Sequence, residues 1–223
     1  MKKNALVVGS KGTLGSALVA ELAKHYAVFE INQDNCDYSE TALQDWRENL
    51  KKEGRFSVIM ICIGSLHNDV VAPEKRMADL TEQKLAEYFR INSILPALCV
   101  RSFHDLLDDT TSSKLLVLSA MVGSISDNNL GGWYGYRSSK AALNMLIKSA
   151  SIEVKRTNKQ ACLATIHPGT TIGPLSKPFA RNIAKDKYYL PQQSAQRIVA
   201  VAESLQPQQT GSFFNWDGRL IPW

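Results

Sequence analysis

The first junction of the chain limits its folding choices most. The apolar run Ala5–Val8 breaks onto Gly9-Ser-Lys-Gly12-Thr-Leu-Gly15, and a stretch with Leu14, Leu18 and Leu22 on one helical face begins inside that turn. Short runs rich in Val and Ile, followed by longer amphipathic stretches, describe β-α units of a parallel sheet. The pattern recurs along the chain. It predicts strands at Ala5–Val8, Ala27–Ile31, Val58–Ile63, Leu115–Ser119, Ala161–Ile166 and Gly211–Trp216. Between them it predicts helices at Thr13–His25, Thr41–Lys52, Thr81–Asp108 with Pro96 inside, Tyr134–Arg156 and Gln192–Leu205. The predicted class is α/β, a Rossmann-type doubly wound parallel sheet of six to seven strands, formed as a single domain over 1–223. Ligands of such sheets bind beyond the carboxyl ends of the strands.

The glycine turn sits where that rule puts a ligand. A helix start offers free N–H groups and partial positive charge, which suit a pyrophosphate. Gly9 permits the tight turn, Gly12 lets backbone approach phosphates, and Gly15 lets helix and strand pack closely; Ser10, Lys11 and Leu14 fill the motif. The alternative is an ordinary flexible βα turn. At the tip of the second strand an acid would bind a ribose 2′-hydroxyl and a base would accept a 2′-phosphate. Asn32 and Gln33 there are neutral, Glu30 lies within the strand, and Lys11 could meet a 2′-phosphate. The reading is NADP(H) or NAD(H), leaning to NADP(H).

Bulk composition removes other classes. Net charge is +5, with Lys and Arg dispersed rather than clustered, so a nucleic-acid partner is not expected. No apolar stretch reaches the length of a membrane span, so no membrane partner is expected. Cys36, Cys62, Cys99 and Cys162 form no C-x-x-C pair and read as small buried hydrophobes of a reducing, cytoplasmic compartment. The 4 histidines are scattered, and no metal site is expected.

Tyr136 and Lys140 are four residues apart on a predicted helix and share a face. A phenol near pKa 10 is a poor base, but a neighbouring ammonium, together with an oxidised nicotinamide, favours the phenolate and lowers that value. Such a pair can pass a proton to a carbonyl or take one from an alcohol. Of the 7 tyrosines only Tyr136 has Lys at the fourth position beyond. Tyr134 has Ser138 there instead, and either borders a pocket or only packs. Pro96 cannot donate to the carbonyl of Asn92, which is therefore freed, or else the proline simply kinks a packed helix.

These residues stand in a familiar order. The glycine triplet, Cys62-Ile63-Gly64 after a central strand, Asn92, Ser119 after the next strand, Tyr136-Arg-Ser-Ser-Lys140 and Pro168-Gly169 resemble the short-chain dehydrogenase/reductase family over essentially the whole chain. The segments Leu118-Ser-Ala-Met-Val-Gly-Ser-Ile-Ser-Asp-Asn, Gly131-Gly-Trp-Tyr-Gly-Tyr-Arg-Ser-Ser-Lys-Ala-Ala-Leu-Asn144 and Trp216-Asp-Gly-Arg-Leu-Ile-Pro-Trp223 resemble its C-factor-like branch. The resemblance implies an NAD(P)(H)-dependent oxidoreductase acting on a small-molecule carbonyl or alcohol, and a homo-oligomer, dimer or tetramer. Tyr136, Lys140, Ser119 and Asn92 take the catalytic places, with Asn92 supporting a water in a proton relay. Gly9, Ser10, Lys11, Gly12, Leu14, Gly15, Asn32, Asp37, Ile63, Gly64, Pro168, Gly169 and Thr170 would line the cofactor with Tyr136 and Lys140, and a lid would span about residues 170–191.

The departures carry their own expectations. The family's substrate-orienting serine falls at Ala120, so Ser119 or, behind it, Ser124 must take the role, unless Ser119 only satisfies local backbone. The family threonine after Pro-Gly falls at Gly173, leaving Thr170 or Thr171. The helix–strand unit usually preceding Asp37 is missing, which predicts a sheet ending on the second strand. Lys177, Arg181, Lys185 and Lys187 make the lid basic, either for an anionic substrate or simply as a solvated loop. The tail Phe213–Trp223 covers a neighbouring subunit or packs on its own chain. Because the serine is displaced, a non-catalytic dinucleotide-sensing signalling protein of the C-factor type is the second reading.

Overall fold

A computed structural model describes residues 2–182 and 188–223. Strands β1 (Lys3–Val8), β2 (Tyr26–Ile31), β3 (Phe56–Ile61), β4 (Ser113–Leu118), β5 (Ala161–His167) and β8 (Ser212–Asn215) form one sheet, with a pair of two-residue strands, β6 (Thr170–Thr171) and β7 (Tyr188–Tyr189), beside it. All neighbouring strands of the main sheet run parallel in the order β2-β1-β3-β4-β5-β8, so the sheet has six strands and ends on β2.

Alternation within each strand sorts side chains to two faces. Leu6, Val8, Ile59, Ile61, Leu115 and Leu163 face α2 (Glu40–Lys52), α4 (Leu95–Phe103) and α5 (Tyr134–Thr157). Ala5, Val7, Val58, Met60, Leu116 and Ala164 face α1 (Thr13–Leu22) and α6 (Pro191–Ser204). Both faces are covered, which explains why the strands read as continuous apolar runs. No helix among the described residues is long and apolar enough to cross a membrane.

Some boundaries depart from the sequence reading, most of all around Pro96. The helix expected at Thr81–Asp108 is α3 (Glu82–Phe89), a π turn at Arg90–Ile94, then α4 and a 3-10 turn at His104–Leu106. Pro96 has no N–H to continue the regular ladder, and the chain opens by one residue: Leu95 donates to the carbonyl of Arg90. The first helix stops at Leu22 rather than His25, and the third strand stops at Ile61, leaving Cys62 and Ile63 to run into the site. The tail packs on its own chain. Trp223 stacks on Phe213 at 5.8 Å, and its carbonyl accepts from the Ser126 amide at 2.9 Å.

Candidate active site

The glycine turn is shaped by what a side chain would strike. A Cβ on Gly15 would lie 2.1 Å from the Gly9 carbonyl oxygen, and one on Gly9, where φ is +83°, would lie 3.1 Å from the backbone of Cys62. Gly12 caps α1 without any side-chain hydrogen bond, leaving the helix start to an outside acceptor. The Gly9 amide donates to the Ile31 carbonyl at 2.7 Å, tying the turn to the β2 tip. Leu14 packs into the core behind it.

The β2 tip is more committed than its sequence suggests. Asn32 turns inward and donates to Ser10 Oγ at 3.0 Å, while its Oδ1 accepts the Asp34 amide. Lys11 pairs with Asp34, and both side chains are well exposed. Asp34 was missed from the sequence, because it lies three residues beyond the strand end and only the turn's geometry brings it to Lys11. Asp37 is exposed and accepts the Ser39 amide at 2.8 Å, which holds its carboxyl below the usual range.

Tyr136 and Lys140 lie one turn apart on α5, and the Lys140 side chain meets Asn92 at Gly64. Both pair members are buried, at 7% and 3% exposure. Lys140 Nζ donates to the Leu118 carbonyl at 3.0 Å. A Cβ on Gly64 would meet Lys140 Nζ at 3.1 Å and Asn92 Oδ1 at 3.3 Å, so this glycine keeps a gap in which the two side chains converge. Asn92 acts through its side chain: Oδ1 accepts the Ser65 amide at 2.8 Å and Nδ2 donates to the Ser65 carbonyl at 2.9 Å. Ser93 Oγ donates to the Ser139 carbonyl at 2.6 Å and locks the π turn onto α5. Ile63 packs on the adjoining core.

Burial sets the protonation of the pair. It lowers Lys140 from 10.5 to about 8 and pushes the Tyr136 phenol above its usual value. In the chain alone desolvation sets the direction at Tyr136, and Lys140 is directed to the Leu118 carbonyl.

The residues around Tyr136 are apolar: Leu66, Val71, Ala120, Val122, Trp133 and Phe179, with the Tyr88 ring centred 6.2 Å away. Both candidate serine hydroxyls are donated elsewhere. Ser119 Oγ donates to Asn144 Oδ1 at 2.7 Å, and Ser124 Oγ donates to the Pro222 carbonyl at 2.6 Å.

From the segment after β5, Phe179 packs against the apolar cluster that holds Tyr136. Pro168 leads to Gly169, where φ is +75° and a Cβ would lie 3.0 Å from the Trp216 ring. Thr170 pairs with Tyr188, and Thr171 Oγ1 lies 2.8 Å from Ser194 Oγ. Gly173 comes against Thr13, with only 3.0 Å to spare for a Cβ. His67 Nε2 lies 3.2 Å from the Pro174 carbonyl, and Phe179 packs on Trp133 at 5.1 Å. Lys177 is exposed. Arg181 lies in a 3-10 turn, whereas Lys185 and Lys187 fall outside the described residues. His67, Trp133 and Trp216 had no local signal marking them for this role.

A parallel sheet with a glycine turn at its first strand and a buried Tyr–Lys pair beyond its fourth defines a dinucleotide-type oxidoreductase scaffold. Residues 62–184 match the family described as short chain dehydrogenase. The chain belongs to this short-chain dehydrogenase/reductase family of oxidoreductases, on its C-factor-like side. It is 29% identical over 147 residues to the C-signal protein of Myxococcus xanthus, covering 66% of this chain and 83% of that one. It is 30% identical over 133 residues to 1-hydroxy-2-glutathionyl-2-methyl-3-butene dehydrogenase of a Rhodococcus strain, covering 60% of this chain and 56% of that enzyme. Among solved structures, an NADPH-bound carbonyl reductase from chicken fatty liver superposes with a TM-score of 0.79 at 18% identity, over 100% of this chain and 94% of that one. The carbonyl reductase Sniffer of D. melanogaster superposes with a TM-score of 0.78 at 21% identity, over 100% of both chains.

Proposed function

We propose that the chain is an NAD(P)(H)-dependent oxidoreductase that interconverts a carbonyl and an alcohol on a small, predominantly apolar molecule. The observation that carries this reading is the convergence of Lys140 Nζ and Asn92 Oδ1 on the space above Gly64, with the buried Tyr136 one helical turn before Lys140. The turn Gly9–Gly15 fits a dinucleotide: added Cβ atoms would strike backbone, and the α1 start lacks a cap of its own. Lys11 is the basic group at this corner, and the reading leans to NADP(H) on the condition that a 2′-phosphate displaces the Asp34 carboxylate now paired with it. The bound dinucleotide would supply or accept the hydride.

The chain's own residues handle the proton. Burial keeps Tyr136 protonated at neutral pH, so its phenol is ready to donate to a substrate oxygen. Lys140 holds its charge below about pH 8 and supports the phenolate left after transfer. Asn92 fixes the Ser65 backbone and so the floor beneath Lys140. Ala120, Val122, Trp133 and Phe179 exclude water from the phenol. Ser119, bonded to Asn144, orients the substrate oxygen only if it gives up that bond.

The commitment of Ser119 and Ser124 to protein partners favours the second reading, a dinucleotide-sensing protein without turnover. NADPH and NADH fluorescence titrations, with a turnover screen over aldehydes, ketones and quinones, separate the two. Turnover that Tyr136→Phe abolishes supports the enzyme. Dinucleotide binding without turnover, unchanged in that variant, supports the sensor, and no dinucleotide binding defeats both.

A further inference from the structure

Helix α5 carries Tyr136 in its first turn, yet its start has no cap from its own sequence. The capping position is Trp133, held at φ +52° and ψ +41°, and it makes no side-chain hydrogen bond to the helix. Left-handed backbone at a bulky residue is strained and persists only where neighbours hold it. The neighbour is Glu74, in the connection between β3 and α3. Its backbone carbonyl accepts the Trp133 amide at 2.6 Å, and its carboxylate Oε2 accepts the Gly135 amide at 3.2 Å. Glu74 therefore supplies from a distant segment two of the bonds that start α5.

The packing around Glu74 is specific. The residue is 2% exposed, and Oε1 has no hydrogen-bond partner among the described residues. A Cβ on Gly135 would lie 2.9 Å from Oε1 and 2.4 Å from the Tyr88 ring, so only glycine admits both against the helix. A buried carboxylate with one oxygen unpaired is expensive as a stabilising device, and a residue that keeps it invites a functional explanation. The titratable groups packed here are Tyr88 on α3, whose hydroxyl donates to the Leu66 carbonyl and whose phenol is raised by burial and by Glu74, and Tyr136 on α5.

We infer that Glu74 is a positioning residue: by capping α5 from outside the helix, it fixes the first turn and aims the Tyr136 phenol. This rests on the reading of Tyr136 as the proton-transfer group. A side chain misaimed by a fraction of an ångström loses rate without losing cofactor affinity.

The test uses the full chain with E74A and E74Q beside wild type. Measured are kcat, KM, NADPH affinity, Tm, and amide hydrogen exchange at Gly135. In E74A we expect kcat to fall about 10- to 100-fold with KM and NADPH affinity held within about 2-fold, and Gly135 protection to fall about tenfold or more. In E74Q the amide oxygen accepts the same bond, so most of the loss in both readouts is recovered. Unchanged kcat and protection in E74A overturns the inference. So does an E74Q variant as impaired as E74A, or a kcat that falls only in step with Tm and cofactor affinity. A wild type that binds NADPH without turnover defeats the reading of Tyr136 instead, and Gly135 exchange then decides the cap alone.

Discussion

Lys140 Nζ donates to the backbone carbonyl of Leu118 at 3.0 Å, from a side chain only 3% exposed. This bond fixes an ammonium at the end of β4 and leaves its remaining protons toward the gap above Gly64. It is also where site and stability are in tension, since a charge is buried against one neutral acceptor.

Replacing that charge should stabilise the fold. Lys140 titrates at about 8 when folded, against an ordinary 10.5. Between these values the unfolded chain binds more protons, so stability from this group rises with pH across that window. Lys140→Met should therefore be more stable than wild type at pH 7, by on the order of 1–3 kcal/mol. The advantage should shrink as pH rises from about 8 toward 10.5, while turnover is lost throughout. Urea melts at pH 7 and pH 9.5 check this, and an advantage that grows with pH would refute it.

Tyr136→Phe removes only the phenolic oxygen from an apolar surround. Turnover is expected to fall by about 10²- to 10⁴-fold with NADPH affinity within about twofold. Steady-state kinetics with a fluorescence titration give both numbers; a turnover loss matched by lost affinity would contradict the assignment.

Asn92→Ala strands two backbone groups, because both the amide and the carbonyl of Ser65 bond to that one side chain. The expected cost is about 2–4 kcal/mol, read from the denaturation midpoint at unchanged slope. A cost below about 0.5 kcal/mol would mean that water replaces the side chain.

The glycine turn should discriminate between two identical substitutions. Gly15→Ala drives a methyl to 2.1 Å from the Gly9 oxygen and is expected to unfold the turn and lose dinucleotide binding. Gly12→Ala meets only Gly9 oxygen, at 3.4 Å, and φ there is −63°, so the fold should survive. Its cofactor affinity should nonetheless fall, since the methyl occupies the helix start. Thermal melts and NADPH titrations of both variants separate these outcomes.

His167 should shape acid sensitivity. Burial lowers it from 6.5 to about 4, and its Nδ1 has no partner among the described residues. Between those values the unfolded chain binds the extra proton, so stability is lost as pH falls from about 6.5 to about 4. His167→Gln should flatten this limb of the Tm-against-pH curve, and an unchanged slope would show that other groups control it.

Much of the fold could be read from local patterns. β1, β3 and β5 alternate between two buried faces, and their apolar runs marked them. The missing unit before Asp37 correctly set the sheet's end at β2. The helix near Asn92 was harder. Pro96 announced a disturbance, but whether it became a kink or a π turn depended on Ser93 docking on Ser139 and Asn92 on Ser65, contacts separated by 46 and 27 positions.

The sequence by itself determined the order of β-α units, the glycine turn and the one-face spacing of Tyr136 and Lys140, because each follows from short-range periodicity or backbone freedom. Tertiary structure decided the electrical state of the pair, since burial sets it, and it decided that Lys140 bonds the Leu118 carbonyl at the end of β4. It also decided that Lys11 meets Asp34, that Ser119 bonds Asn144, and that Glu74 starts α5. Those are contacts between distant segments, and no local pattern encodes which side chains a parallel sheet will carry to the same edge.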